Sequence, residues 1–288
     1  MSRKVTHAGR EALRGPGNRT PFLVLCVAGS DSSGCAGVAA DVRTVAALGG
    51  HGMLAITAVT AQDARGVRAL TPVPSRTVRA QMDACFGFGG TPVVKIGMLA
   101  NAAVVRAVSA VIALRRPPFT VLDPVLRATT GRELLDAAGR LALVERLLPL
   151  TDLVTPNLPE AEALLGRTVR GIGGMIDAAR ALHERGARAV LLKGGHRRGD
   201  AVDVFTDGAA TLVLRAPRLA TPNTRGTGCV LSTAIACHLA CGLALQEAVC
   251  RGKAFVTEAL RGSYPLGPRR GPVHPSAAGA ALAGRTLR

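Results

Sequence analysis

The run Asn223 to Ala240, NTRGTGCVLSTAIACHLA, places Gly226, Thr227 and Gly228 ahead of Cys229 and a long apolar stretch of small residues. The apolar stretch reads as a helix. The residues before it then sit where a helix start leaves backbone N–H groups without intrahelical partners. With the positive end of the helix dipole they make a cradle for an anion. In a phosphoryl transfer, such a cradle would hold charge on the moving γ-phosphoryl group. Cys229 stands in the same field. A free thiol titrates at about 8.5 and a helix start lowers that, so a thiolate there would accept the proton of a substrate hydroxyl. A small buried cysteine after a glycine turn is the alternative reading of the same residues.

Other residues with chemical capacity follow short apolar runs. Gly29, Gly34 and Gly37 bracket the polar loop of AGSDSSGCAGVAAD, which admits a close ligand or is an ordinary strand-to-helix turn. It is not a Walker A loop, because no Gly-Lys-Ser/Thr follows. Gln62 and Asp63 close LAITAVTAQD, and a glutamine there offers a donor and an acceptor to a heterocycle or lies in a surface turn. VVKIGML supplies Lys95, Gly97 and Met98, the methionine being an apolar wall for a flat ring or a core residue.

Asp123 ends the apolar run of FTVLDPV, where a carboxylate suits magnesium or a water in its shell, or an Asx-turn. In TPNLPEAEALLG, Pro159 fits a first helical turn. Asn157 and Glu160 are then a cap with a dipole-compensating acid, or two oxygen ligands aimed at hydrated magnesium; the spacing does not separate these. Lys193 follows the buried run of AVLLKGGH, as a point charge for nucleotide phosphates or a solvated strand-end lysine.

The elements that must position these residues alternate. Candidate strands are Leu23–Ala28, Leu54–Val59, Val93–Ile96, Thr120–Leu122, Leu153–Thr155, Ala189–Leu192, Val202–Phe205 and Leu212–Leu214. Candidate helices are Ala36–Leu48, Arg76–Cys85, Ala102–Leu114, Arg140–Leu148, Pro159–Leu165, Met175–Glu184, Cys229–Ala240 and Gln246–Arg261. Apolar strands alternating with helices indicate an α/β fold with a mostly parallel sheet covered on both faces. Ligands in such folds sit at the carboxyl ends of the strands. One domain is expected over residues 21–275, after a basic, Gly/Pro-punctuated extension over 1–20 and before a tail over 276–288.

Bulk properties narrow the class. The 288 residues suffice for a large core. No run of eighteen lacks polar breaks, which tells against a membrane span. The first residues carry charge without the apolar core of a signal peptide, so a cytoplasmic protein is expected. Seven scattered cysteines with no C-x-x-C fit reduced thiols. The net charge of +17 raises nucleic-acid binding, but aromatics at 2% leave few stacking platforms and the arginines are spread thinly. No nucleic-acid partner and no membrane partner is expected.

Eight motifs in order, AGSDSSGCAGVAAD, ITAVTAQDARGV, VKIGMLA, VLDPV, TPNLPEAEALL, VLLKGGH, NTRGTGC and GPVH, give a specific resemblance. The chain resembles the hydroxymethylpyrimidine/phosphomethylpyrimidine kinases of thiamine biosynthesis, in the ribokinase-like superfamily, from about Leu23 to His274. The resemblance implies a three-layer α/β/α sandwich, usually a homodimer, using ATP and magnesium on an aminopyrimidine substrate. It implies that Gln62 bonds the pyrimidine, with Met98 and Val125 lining its pocket beside Gly29. It places Asp123, Asn157 and Glu160 at magnesium and its waters, Lys193 and Thr224 at ATP, Gly226 to Gly228 as the anion hole, and Cys229 at the general-base position. Departures from the family's usual residues include Ser32, Cys35, Ala39, Asp63 and Arg225. The rival readings are a pyridoxal-type vitamin kinase on the same fold and a non-catalytic pyrimidine-binding sensor; the second would show damage at the phosphate site, and those motifs are intact.

Overall fold

A computed structural model describes residues 20–128, 130–195, 199–267 and 270–286. The N-terminal extension expected over 1–20 lies, but for Thr20, outside the described residues. Nine strands form one sheet in the order β3-β2-β1-β4-β5-β6-β7-β8-β9. They are β1 (Leu23–Asp31), β2 (His51–Asp63), β3 (Gly66–Pro72), β4 (Val93–Ile96), β5 (Thr120–Leu122), β6 (Leu153–Val154), β7 (Val190–Lys193), β8 (Ala201–Thr206) and β9 (Thr211–Ala216). The strands from β2 to β7 pair in parallel, while β3, β8 and β9 add antiparallel edges.

The central strands are apolar throughout because both faces are covered. On one face lie α2 (Ser75–Phe86), α3 (Ala102–Arg115), α4 (Ala137–Ala142), α5 (Leu158–Leu165) and α6 (Gly171–Glu184). On the other lie α1 (Gly37–Ala47), α7 (Thr227–Ala240), α8 (Leu245–Arg261) and α9 (Pro275–Thr286). This is the expected three-layer α/β/α sandwich.

Three expectations are corrected. The strand β3 was not foreseen; Asp63 makes its hairpin, accepting from the amides of Arg65 at 2.7 Å and Gly66 at 3.2 Å. Only Val67 of β3 is well buried, so its sequence lacks a strong apolar pattern. The helix expected over Arg140–Leu148 is α4, then a π-turn over Leu143–Leu147, then a 3-10 turn over Leu148–Leu150. Pro149 has no N–H to continue a helix. The tail expected over 276–288 is helical from Pro275 to Thr286, with Ala278 buried in the core that α7 and α8 share.

Candidate active site

The parallel strands deliver the predicted residues to one edge of the sheet, at their carboxyl ends. Asp123 follows β5, Asn157 follows β6, Lys193 ends β7, Met98 follows β4 and Gln62 lies near the end of β2. The start of α7 closes over them. Its N-cap, Gly226, has φ 81°, and a Cβ there would stand 2.1 Å from the carbonyl oxygen of Cys35. Only glycine lets α7 begin against the loop before α1. The Thr227 amide turns back to the carbonyl of Thr224 at 3.3 Å, and its hydroxyl donates to the same oxygen at 2.7 Å. Thr224 therefore acts here through its backbone. The first intrahelical bond runs from Val230 to Gly226 at 2.9 Å, so the amides presented by the first turn are those of Gly228 and Cys229. Of the expected Gly226–Gly228 run, the Thr227 amide is thus taken up within the loop.

Gly228 rests directly on the charged centre. A Cβ at that position would lie 3.2 Å from Lys193 Nζ and 3.4 Å from Asp123 Oδ2. Lys193 Nζ donates to Asp123 Oδ1 at 2.7 Å, and the Thr155 hydroxyl donates to the same oxygen at 3.2 Å. Burial opposes the charge on Lys193, but Asp123, Glu160 and Cys229 together hold its pKa above the ordinary value. Glu160 is pushed up to about 7, first by burial and then by repulsion from Asp123, with Lys193 opposing. The capping reading of Asn157 and Glu160 is the one the hydrogen bonds show. They form a complete capping box, Glu160 N–H to Asn157 Oδ1 at 2.9 Å and Asn157 N–H to Glu160 Oε2 at 2.7 Å. The box holds the glutamate rigidly beside Lys193 and Asp123.

At the end of β1, Met98 packs on Gly29 so closely that a Cβ there would fall 2.2 Å from its Cε. Met98 and Val125 share a small apolar cluster with Ala58 and Leu134. The backbone of Gln62 is pinned by the Ser32 hydroxyl, which accepts from its N–H at 2.7 Å and donates to its main-chain carbonyl at 2.8 Å. Gln62 lines a cavity of about 720 Å³ together with Asp63, Asn223 and Arg225. Arg225 donates to the carbonyl of Asp63 and the hydroxyl of Ser33, each at 3.1 Å, and lies 3.6 Å from Asp31 Oδ2. Its backbone pairs with the GPVH segment through the Val273 amide at 3.1 Å, while Gly271 donates to Asn223 Oδ1 at 2.8 Å. Arg225 thus ties the Gly29 loop, the end of β2 and the approach to α7 into one wall.

The sequence pattern of phosphomethylpyrimidine kinase matches residues 31–274. The chain belongs to that family. It is 45% identical over 254 residues to the hydroxymethylpyrimidine/phosphomethylpyrimidine kinase of Streptomyces coelicolor, covering 88% of this chain and 94% of that one. It is 47% identical over 260 residues to the thiamine biosynthesis bifunctional protein ThiED of Geobacter sulfurreducens, covering 89% of this chain but 53% of that protein, so the chain spans about half of that relative's length. Among solved structures it is similar to an ADP complex of Bacillus subtilis pyridoxal kinase, with a TM-score of 0.83 and 34% identity over 89% of this chain and 98% of that one.

One expectation about this family member's thiol is overturned. Cys229 was expected to be held low by the helix start. It is pushed up to about 11, chiefly by burial and further by Asp41 and Asp123; Lys95 and the Gly37 amide pull the other way. Burial of the thiol sets the direction of the shift. The charges named there expose what sequence reasoning passed over. Lys95 on β4 is wholly buried, with Nζ 2.8 Å from both oxygens of a wholly buried Asp41 on α1. Thr233 on α7 donates to Asp41 Oδ1 at 2.8 Å. The available signal was a lysine between apolar neighbours in VVKI, a position that demands a partner.

Proposed function

We propose that the protein transfers the γ-phosphoryl group of ATP to 4-amino-5-hydroxymethyl-2-methylpyrimidine, and then to its monophosphate to give the diphosphate, in thiamine biosynthesis. The observation that carries the chemistry is the nearness of Gly228 to both Lys193 and Asp123, where a Cβ would stand 3.2 Å from Nζ and 3.4 Å from Oδ2. It sets the amides of a helix start, a lysine and a carboxylate around one point. Family membership supplies the acceptor class, and the packing of Met98 on Gly29 beside Val125 supports it.

In this reading, Gln62 reads the edge of the pyrimidine while Met98 and Val125 pack its face. Lys193 neutralises phosphate oxygens, and the Gly228 and Cys229 amides hold the charge that gathers on the moving phosphoryl group. Cys229 accepts the proton of the hydroxymethyl group in the first transfer. Asp123 and Glu160 are a hard-oxygen set with more acid than Lys193 alone balances, which fits a magnesium ion. Among the described residues no cluster of three or more His, Cys, Asp or Glu side chains could hold a metal by itself. Water and substrate phosphates would complete the coordination, as magnesium prefers. When bound, magnesium neutralises charge on the β- and γ-phosphates. A homodimer and a cytoplasmic location complete the proposal; no described helix is long and apolar enough to cross a membrane.

The likeness to pyridoxal kinase keeps a second acceptor in the test. ATP consumption is measured side by side with the hydroxymethylpyrimidine, its monophosphate and pyridoxal, with magnesium present. Turnover on both pyrimidines is the expected result. Turnover on pyridoxal alone would move the enzyme to the vitamin B6 branch.

A further inference from the structure

Strands β7 and β8 run antiparallel, with Lys193 directly opposite Asp203. Two positions away, the opposed pair Leu191 and Phe205 faces the core that α7 and α8 share. Side chains two residues apart along a strand lie on one face, so Lys193 and Asp203 also point to the side of α7 and α8. Directly opposed side chains start from Cβ atoms about 5 Å apart. The two charges nevertheless turn away from each other. Lys193 Nζ donates to Asp123 Oδ1 at 2.7 Å. Asp203 accepts from the Gly194 amide through Oδ1 at 3.0 Å, and from Lys253 Nζ on α8 through Oδ2. Asp123, Lys193, Asp203 and Lys253 thus alternate in charge from β5 through β7 and β8 to α8.

Packing fixes this arrangement. A Cβ at Gly252 would stand 2.5 Å from Ile235 Cγ1, so glycine lets α8 lie on α7 at the height that brings Lys253 to the start of β8. There Lys253 Nζ also donates to the carbonyl of Ala201 at 3.4 Å. A Cβ at Gly194 would fall 2.1 Å from the carbonyl oxygen of Val202, so only glycine lets the chain leave β7 with its amide on Asp203. The side chains of Lys253 and Asp203 are 12% and 10% exposed. A tether between α8 and the sheet does not call for charges, since apolar residues of the same volume serve as well or better. What Lys253 supplies is a cation for a carboxylate that would otherwise have Lys193 across the ladder as its partner.

We propose that Lys253 is a positioning residue for nucleotide binding, which holds Asp203 aside and so leaves Lys193 to Asp123 and to nucleotide phosphate. This inference rests on the reading of Lys193 at phosphate. Without Lys253, Asp203 is a largely buried carboxylate lacking its cation, and the ammonium opposite it is that of Lys193. A lysine shared by two carboxylates offers less charge to a phosphate.

The test measures MgADP affinity by titration calorimetry, and kcat and KM for MgATP, in K253M, K253M/D203N, K253R and K193M. In K253M the Kd for ADP and the KM for ATP should each rise about tenfold, on either pyrimidine acceptor. In K253M/D203N no carboxylate competes for Lys193, and the amide side chain still accepts from Gly194. Both constants should return to within about threefold of the native values. K253R keeps the charge and should bind ADP as the native chain does. If K253M does not fold, K253Q takes its place, with an expected rise of about threefold because it holds Asp203 without neutralising it. A loss in K253M/D203N as deep as in K253M would show Lys253 to be a tether of α8 and overturn the proposal. Native ADP affinity in K253M, with K193M weakened, would overturn it too. Native ADP affinity in K193M itself would sink the reading of Lys193 at phosphate, and this inference with it.

Discussion

Lys193 Nζ lies 2.7 Å from Asp123 Oδ1, so the group suited to nucleotide phosphate and the group suited to metal form one ion pair. Both side chains are largely buried, at 13% and 3% exposure. Replacing Lys193 with Met should therefore act twice. The stabilisation of transferred charge is lost, and kcat/KM should fall by about 10²–10³ in steady-state assays. Asp123 is also left without its cation, and breaking such a buried pair costs about 3 kcal/mol, read as a lower midpoint in urea. The double variant K193M/D123N should recover much of that stability and none of the activity. If K193M were fully active, the placement of Lys193 at phosphate would be wrong.

Glu160 carries the pH dependence of the same centre. Its carboxyl is pushed up to about 7, so it is uncharged below that pH and ionised above it. A carboxylate that recruits a cation must be ionised. At limiting MgATP, kcat/KM should rise with pH through about 7, since this parameter reports the free enzyme. In E160Q that limb should vanish, with activity about tenfold lower on the plateau. The Gln side chain can still accept from the Asn157 amide, so the capping box and the midpoint of thermal unfolding should change little. An unaltered limb in E160Q would assign it to another group.

How far the sequence led can be traced through particular residues. The places of Asp123 and Lys193 were legible because each follows an apolar run, and parallel strands must deliver such positions to one edge, whereas Gln62 stood out only through the family resemblance. Strands β4 and β5 have the residues expected of them, Val93–Ile96 and Thr120–Leu122, because buried strands write their limits as uninterrupted apolar runs. The strand β3 was not legible: its stretch is mostly exposed and is paired on one side only, by β2. Two roles also depended on packing that spacing does not contain. Arg225 reads as a charge near phosphate or a solvent-facing residue, and only the fold shows it joining Ser33 and Asp63 across 192 and 162 positions. The Cys229 thiol was placed correctly at a helix start, yet its proton affinity is set by burial and by Asp41, which no local pattern links to it.

His238 makes the fold sensitive to acid. It lies on α7 with Nε2 buried and without a hydrogen-bond partner. Its pKa is lowered to about 4, first by burial, then by Arg251, with Glu247 opposing. The folded chain thus binds this proton less tightly than the unfolded chain, whose histidine titrates at about 6.5. Its contribution to stability is full above 6.5 and is lost as pH falls toward 4, at no more than about 1.4 kcal/mol per pH unit. Partial exposure will reduce that slope. Urea unfolding of the native chain and of H238L at pH 7 and pH 5 isolates the effect. The native chain should lose more stability between the two pH values than H238L does; parallel losses would assign the acid sensitivity to carboxylates alone.

Cys229→Ala separates the two transfers. The hydroxymethyl acceptor must shed a proton as its oxygen bonds to phosphorus, whereas a phosphate monoester, with a second pKa of about 6, is already an anionic nucleophile at neutral pH. A thiol pushed up to about 11 is mostly protonated at neutrality, so its service as a base should grow with pH. In the native enzyme the first transfer should therefore accelerate on the alkaline side while the second stays flat. In C229A the first should fall by about 10²–10⁴ and lose its alkaline rise, with the second within about threefold. The Cys229 backbone amide, which the substitution keeps, continues to hold charge in both reactions. Equal losses on the two acceptors would show that the side chain shapes the start of α7 and moves no proton.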